Sequence, residues 1–269
     1  MLEQSEARTT VDAAVTEPSA AARAARLLRD EGWRSVAGKA LYYLVSRGFY
    51  TPYCTWRARH LGPEQGIERL VDFALNGCWQ IIRPAQARDE IVRFLHLLQE
   101  RRPRTILEIG TARGGTLFLF ARVAAEDALL ISVDLPHGRF MGGYPAWRAP
   151  LYRSFARGRQ RVELLRADSH APASLARVTR VLAGRSVDCL FIDGDHTYDG
   201  VAQDFHMYSP LVGPGGLIAF HDIVVAPPEV GGEVHRFWSE VKRRYEHREI
   251  INDSRRKSAG IGILFPAAR

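Results

Sequence analysis

Cysteine is scarce in this chain: three thiols in 269 residues, at Cys54, Cys78 and Cys189. With no C-x-x-C pair among them they supply neither a disulfide framework nor a zinc-ligand set. A reducing compartment is the natural reading, and a cytoplasmic location is expected. Cys189 lies inside an apolar run and is expected to pack in the core. Long apolar stretches are missing too. None approaches the roughly 18 residues of a membrane span, so no membrane partner is expected. The most apolar N-terminal piece, Ala40–Val45, is stopped by Ser46 and Arg47. The first residues mix Glu3, Glu6, Arg8 and Asp12 without an apolar h-region, which predicts no signal peptide. Lysine occurs only at positions 39, 242 and 257, so the net charge of +7 is carried by arginine spread along the chain. Short basic runs occur at Arg101-Arg102, Arg243-Arg244 and Arg255–Lys257. Dispersed charge of this kind suits solvated helix faces, and alone it does not make a nucleic-acid surface. No internal repeat is present.

What the chain does have is enough apolar material, 46%, for one large α/β domain with an extension. Five short apolar runs each end in an acid: Thr105–Glu108, Leu129–Asp134, Val162–Asp168, Val187–Asp193 and Leu217–Asp222. Their length and β-branched content predict buried parallel strands. In an open α/β sheet, ligands bind beyond the carboxyl ends of the strands. A core does not need charge there, so five such acids predict a crevice for a polar ligand, a metal, or both.

The chain organises around these runs. Residues 1–20 are polar and alanine-rich and predict a mobile segment. Residues 21–85 read as a helical N-terminal extension, and 86–269 as the main domain. Ile91, Phe94, Leu95 and Leu98 form one helical face leading into the first strand. The aromatic stretch Tyr42–Trp56 is open to three readings: packing on its own domain, on a partner subunit, or at a substrate entrance. Strands and helices alternate from Thr105. Gly114–Ala125, a segment with Pro172 in its first turn, and one bearing Val201, Phe205, Tyr208 and Val212 predict helices. Gly213–Gly216 is expected to end the last of these and turn into the fifth strand. A further helix is expected to run to about Tyr245. Arg248–Asn252 and Gly260–Phe265 predict an antiparallel closing pair.

The first strand meets the next helix through Glu108-Ile-Gly110-Thr111-Ala-Arg-Gly114-Gly115. Gly110 permits a tight turn, and Gly114 lets backbone approach a ligand at the helix N-terminus. This is not G-x-G-x-x-G, because Ala112 and Arg113 stand where a dinucleotide fingerprint needs glycine. Asp134, twenty residues past Gly114, lies where an acid accepts hydrogen bonds from ribose hydroxyls. Asp168-Ser169 could bond an adenine amino group, or could cap the next helix.

E-x-G-x-x-x-G with acids after strands two and three resembles the class I S-adenosylmethionine-dependent methyltransferases, over about Arg83 to Phe265. That resemblance implies a Rossmann-like α/β fold: a seven-stranded, mostly parallel sheet with an antiparallel last strand. It implies that Glu108, Gly110, Thr111 and Gly114 hold the methionine part of the cofactor, Asp134 the ribose, and Asp168 and Ser169 the adenine.

The fourth strand ends Asp193-Gly-Asp-His196 and the fifth His221-Asp222. Side by side, Asp193 and Asp222 repel unless a proton or cation lies between them. Oxygen donors with few sulfurs suit Mg²⁺. His196 can then serve a hydroxyl whose pKa the cation lowers. This D-x-x-H arrangement resembles the metal-dependent sugar O-methyltransferases of antibiotic tailoring, of the macrocin and mycinamicin type. By that resemblance Asp193 is a metal ligand, His196 the general base, and the substrate a hydroxyl of a sugar or other polar natural product. The chain departs from that group at strand five, where His221 stands in place of an acid. His221 is open to two readings, a metal ligand favouring Mn²⁺ or a side chain turned into the sheet. Tyr144, Trp147 and the loop Val225–His235 are expected to flank the crevice. A homo-oligomer is expected by the same resemblance. Two alternatives stay open: a nucleic-acid methyltransferase, against which no D/N-P-P-Y motif follows strand four, and a non-catalytic S-adenosylmethionine-binding subunit.

Overall fold

The computed structural model describes residues 20–136, 143–225, 232–252 and 259–267. The expectation for residues 1–20 lies outside these except at Ala20. So do the basic run at 255–257 and most of the 225–235 loop. Contacts divide the chain after Ser46. The first unit contains α1 (Ala20–Val45), whose helical path breaks at Gly32, φ 76°.

The second unit opens with α2 (Thr51–His60), α3 (Ile67–Asn76) and α4 (Arg88–Arg101). Ile91, Phe94, Leu95 and Leu98 are all buried, as a single apolar helix face requires. Alternation then sets in: β1 (Thr105–Ile109), α5 (Gly115–Val123), β2 (Leu129–Asp134), α6 (Ala149–Arg153), β3 (Arg161–Arg166), α7 (Pro172–Leu182), β4 (Val187–Ile192), α8 (Tyr198–Tyr208), β5 (Val212–His221), α9 (Val234–Val241), β6 (Glu246–Ile250) and β7 (Ile261–Phe265). The strands make one seven-stranded sheet in the order β3-β2-β1-β4-β5-β7-β6. β1 through β5 pair in parallel, and β7 runs antiparallel to both β5 and β6. This is the expected class I methyltransferase architecture.

Both faces of the sheet's centre are covered, which is why β1 and β2 are buried at every position rather than alternating, whereas the outer strands β3 and β6 keep exposed charged residues. Ile106, Leu130, Cys189, Phe191, Leu217 and Ala219 join one core with α3, α4 and α5. Their neighbours Leu107, Ile131, Leu190, Ile192, Ile218 and Phe220 join another with α7, α8 and α9. Successive side chains point to opposite faces, so each strand feeds two cores.

The glycines at 213–216 differ from expectation. α8 ends at Tyr208, a short turn over Ser209–Leu211 follows, and the glycines lie inside β5. They fall where the β4–β5 register slips, between the pairs Val187↔Val212 and Cys189↔Leu217. A Cβ on Gly213 would stand 2.4 Å from the Ser186 hydroxyl. Close approach of two strands, rather than a helix stop, accounts for that glycine.

α2 is fastened to the sheet unit by a buried cation. Arg122 of α5 donates to the carbonyls of Leu61, Phe155 and Ala58 at 2.6–2.7 Å and stacks over the Phe118 ring at 4.3 Å. Burial depresses its pKa to about 9. Beside α2, Phe49, Tyr50 and Tyr53 pack on Trp79, with Tyr50 stacked on it at 4.3 Å. Among the described residues no helix is long and apolar enough to cross a membrane.

Candidate active site

The strand order reverses between β1 and β4: β2 and β3 lie to one side, β5 to the other. Such a switch point leaves room for a ligand beyond the carboxyl ends of the strands. A cleft of about 260 Å³ opens there, bordered by Gly110, Ala112, Asp134, Asp168, Ser169, His170 and Asp193-Gly194, among others. Four of the expected cofactor residues, Gly110, Asp134, Asp168 and Ser169, border it.

The glycine turn is set by its protein neighbours as much as by a ligand. Gly110 has φ +89°, and a Cβ there would stand 2.0 Å from the Asp193 carbonyl oxygen. Gly114 caps α5 at φ +80°, and its Cβ would meet the Tyr152 ring at 2.8 Å. Tyr152 also donates its hydroxyl to the Ala112 carbonyl at 3.0 Å. Gly115 is held tighter, its Cβ placed 2.0 Å from the Ile82 carbonyl. Within this turn Gly110 and Ala112 border the cleft, and Thr111 and Gly114 do not.

Glu108 and Thr111 form a buried brace beneath the turn. Thr111 Oγ1 donates to Glu108 Oε2 at 2.7 Å and lies 2.6 Å from Ser132 Oγ. Desolvation pushes the Glu108 pKa to about 8, and its Oε1 has no hydrogen-bond partner among the described residues. Glu108 is fully buried and does not border the cleft. Asp134 does. Its Oδ2 accepts from Ala112 N at 2.9 Å and its Oδ1 from Gly143 N at 3.0 Å. Burial raises its pKa to about 6 against these two bonds. Each oxygen keeps a second lone pair for a ligand hydroxyl. Asp168 spends Oδ1 on the His170 backbone N–H at 2.9 Å and is not the cap of α7, whose N-cap position is Ala171.

The catalytic candidates converge at the ends of β4 and β5. His196 Nδ1 lies 3.0 Å from Asp222 Oδ2, and its Nε2 lies 3.6 Å from Asp193 Oδ1. His221 Nδ1 lies 3.2 Å from both Asp193 Oδ1 and Asp222 Oδ1. Its Nε2 is buried with no hydrogen-bond partner among the described residues. Asp222 adopts φ +61°, a left-handed backbone that is uncommon outside glycine and that concentrates at functional sites. Burial would raise the Asp193 carboxyl, but the His221 charge and the hydrogen bonds from both imidazoles hold it below the usual carboxylate range. Burial would likewise depress the two imidazoles. The two carboxylates prevail, lifting His196 to about 10 and His221 to about 9.

Two carboxylates and an imidazole form a donor set suited to Mg²⁺ or Mn²⁺. The group able to close on one cation is Asp193, His196 and Asp222, whose ligand atoms lie within 4.8 Å of one another. His221 stands outside that group, with Nδ1 turned to both carboxylates. A protonated His221 would place positive charge between the two aspartates, as a cation would.

Tyr144 is buried against Tyr152, ring centroids 4.5 Å apart, and Trp147 lines a separate groove with Trp56, Arg59 and His60. Neither borders the cleft. The pattern of acids did not reveal Gln86, whose Nε2 donates to Asp193 Oδ2 at 2.7 Å. Nothing in Pro84-Ala-Gln-Ala marks it, since the partner is 107 residues away. It also left unread the pairing of His170 with the fully buried Asp204, Nε2 to Oδ1 3.3 Å.

Comparison with known proteins bears on the fold that holds these residues. Residues 107–223 match the family described as methyltransferase domain. The O-methyltransferase TomG from Streptomyces achromogenes, involved in tomaymycin synthesis and solved in complex with SAM, is similar with a TM-score of 0.52. That likeness covers 76% of this chain and 90% of TomG at 19% identity. Cofactor-bound Rv0187 from MTB is similar with a TM-score of 0.52, over 76% of this chain and 97% of that one at 17% identity. At such identities the likeness shows the fold. The uncharacterized protein y4gI of Sinorhizobium fredii is 30% identical over 149 residues, 54% of this chain but 16% of that protein. An uncharacterized protein of Acanthamoeba polyphaga mimivirus is 53% identical over 36 residues, 13% of this chain and 16% of that protein. The chain therefore spans a small part of the length of these curated relatives.

Proposed function

We propose that this chain is an S-adenosylmethionine-dependent O-methyltransferase whose acceptor is a hydroxyl of a small polar molecule, a sugar or a glycosylated natural product. The observation that carries the reading is the convergence of His196 and Asp222 on Asp193, which borders the switch-point cleft: His196 Nδ1 lies 3.0 Å from Asp222 Oδ2 and its Nε2 3.6 Å from Asp193 Oδ1. The acceptor class follows from the resemblance of Asp193-x-x-His196 to sugar O-methyltransferases.

S-adenosylmethionine, when bound, supplies an electrophilic methyl group on a sulfonium. Asp134 offers its free lone pairs to ribose hydroxyls, and Asp168 with Ser169 borders the adenine end. The Glu108 brace holds the turn that borders the methionine end. His196 takes the acceptor hydroxyl proton at Nε2 while Asp222 holds Nδ1–H, fixing the tautomer as a carboxylate does in other general-base pairs. The two aspartates favour a protonated His196. A divalent cation on Asp193 and Asp222 would offset that charge and lower the acceptor pKa.

A second reading of the same site needs no cation. It is favoured by His221 Nδ1 lying 3.2 Å from one oxygen of each aspartate. There an imidazolium neutralises the pair, and His196 still serves as base.

Isothermal titration with S-adenosylmethionine, with and without Mg²⁺, followed by a screen of hydroxyl acceptors, tests the proposal. Micromolar-range binding and methyl transfer to a hydroxyl are expected. Absence of cofactor binding would sink the enzyme reading, and transfer to RNA or DNA with steep salt dependence would replace the acceptor class.

A further inference from the structure

We propose that Gln86 is a positioning residue for Asp193, linking the helix after the glycine turn to the catalytic carboxylate; this rests on the methyltransferase reading above. Gln86 is buried, in the segment between α3 and α4. Its amide is oriented by chemistry. An ionised Asp193 accepts only, so the nitrogen must face it, and Nε2 donates to Oδ2 at 2.7 Å. The other end is occupied too: Thr116 Oγ1 donates to Gln86 Oε1 at 3.0 Å. Thr116 is buried in the first turn of α5, one residue after Gly115.

The segment bearing Gln86 is held in place independently. α5 approaches it so closely that a Cβ on Gly115 would stand 2.0 Å from the Ile82 carbonyl and 2.6 Å from Pro84. A fixed backbone and two opposed hydrogen bonds leave the amide one orientation. Asp193 is thereby divided: Oδ2 is committed to Gln86, and Oδ1 faces His196 at 3.6 Å and His221 at 3.2 Å. Without the amide, the carboxylate is free to turn about its Cβ–Cγ bond and to present either oxygen. Gln86 thus sets which oxygen the imidazoles meet, or a cation in their place. Partners of this outer kind typically alter metal affinity or activity by about 10–100-fold when removed.

The test uses the full chain and four variants: Gln86→Met, close in length and volume but without donor or acceptor, Gln86→Glu, Thr116→Val and Thr116→Ser. Three quantities are read: S-adenosylmethionine affinity, Mn²⁺ affinity by titration of the cofactor-free protein, and the ring ¹⁵N shifts of His196 and His221 at one fixed pH. Gln86→Met is expected to leave cofactor affinity unchanged, weaken Mn²⁺ by about 10–100-fold and move both sets of ring shifts. Gln86→Glu should do so at least as strongly, because it sets a carboxyl against Asp193. Thr116→Ser should match the wild type and Thr116→Val should fall between. A folded Gln86→Met protein with wild-type Mn²⁺ affinity and wild-type ring shifts overturns the proposal. If Gln86→Met does not fold, the Thr116→Val and Thr116→Ser pair decides by the same readouts. A wild type that takes up no Mn²⁺ removes the cation from the proposed function, and the ring shifts then decide the role of Gln86. A wild type that does not bind S-adenosylmethionine removes the enzyme reading, a result separate from the shift comparison.

Discussion

The backbone of Gly110 packs directly on the backbone of Asp193: a Cβ added to the glycine would stand 2.0 Å from the Asp193 carbonyl oxygen. One residue therefore shapes both the turn bordering the switch-point cleft and the seat of the Asp193 carboxylate. Gly110→Ala meets a backbone clash and a φ of +89° together. The expected loss of stability is about 2–5 kcal/mol, combining overpacking with left-handed strain. Thermal unfolding should show it, and cofactor titration should show weakened binding. An alanine variant with wild-type stability and affinity would contradict the close contact.

His196→Ala is expected to lower methyl transfer by about 10²–10⁴-fold, the usual contribution of a positioned base. Cofactor affinity should stay near wild type, because His196 does not border the cleft. Single-turnover rates with a responsive acceptor, beside a cofactor titration, separate the two effects. Full activity in this variant removes His196 as the base.

Excess EDTA is expected to abolish turnover, with recovery on adding Mg²⁺ or Mn²⁺. Undiminished turnover in EDTA would select the second reading, in which His221 neutralises the aspartates. In that case His221→Asn should be the more damaging change. It removes the imidazole from between Asp193 and Asp222 and leaves two partly buried carboxylates in repulsion.

His170 should make stability fall with rising pH. Its close contact with the buried Asp204, Nε2 to Oδ1 3.3 Å, raises its pKa from 6.5 to about 9. A group whose folded pKa lies above its unfolded one contributes fully below the unfolded value and loses that contribution as pH climbs through the folded one. The window is therefore between about 6.5 and 9. Denaturant melts across that range should show a decline on the order of 1–3 kcal/mol that His170→Gln lacks. Parallel pH profiles in the two proteins would refute the pairing.

Arg122→Met should cost about 3–5 kcal/mol, since it leaves three buried carbonyls at Ala58, Leu61 and Phe155 without their donor. Local release of α2 should follow, read as faster amide exchange in Thr51–His60 than in β1. Uniform exchange across both elements would argue against Arg122 as the fastening of α2.

Much of this protein is legible along the chain because the information is local. Buried parallel strands write themselves as short apolar runs, so β1, β2 and β4 stand where Thr105, Leu129 and Val187 begin theirs. The acids that end those runs lie at one edge of the sheet for the same reason. Strand direction carries them there whatever the side-chain packing. The helical face of Ile91, Phe94, Leu95 and Leu98 and the antiparallel closing pair are likewise periodic and local.

Contacts between distant segments were settled only by tertiary structure. Gly110 reads as a turn glycine, yet the carbonyl it must avoid belongs to Asp193, brought beside it by the β1–β4 pairing. Gly213–Gly216 reads as a helix stop, yet serves a slip between strands. Tyr144 reads as a crevice residue, and packing on Tyr152 buries it. The spacing of Asp193, His196, His221 and Asp222 predicts a cluster, whereas the direction of each ring nitrogen depends on rotamers that no spacing encodes. Gln86 leaves no trace in sequence at all, because a single amide becomes part of a site only when the fold carries it across 107 residues to a carboxylate. The chain alone determined which chemical groups would gather at the sheet edge; packing decided which of their atoms face one another.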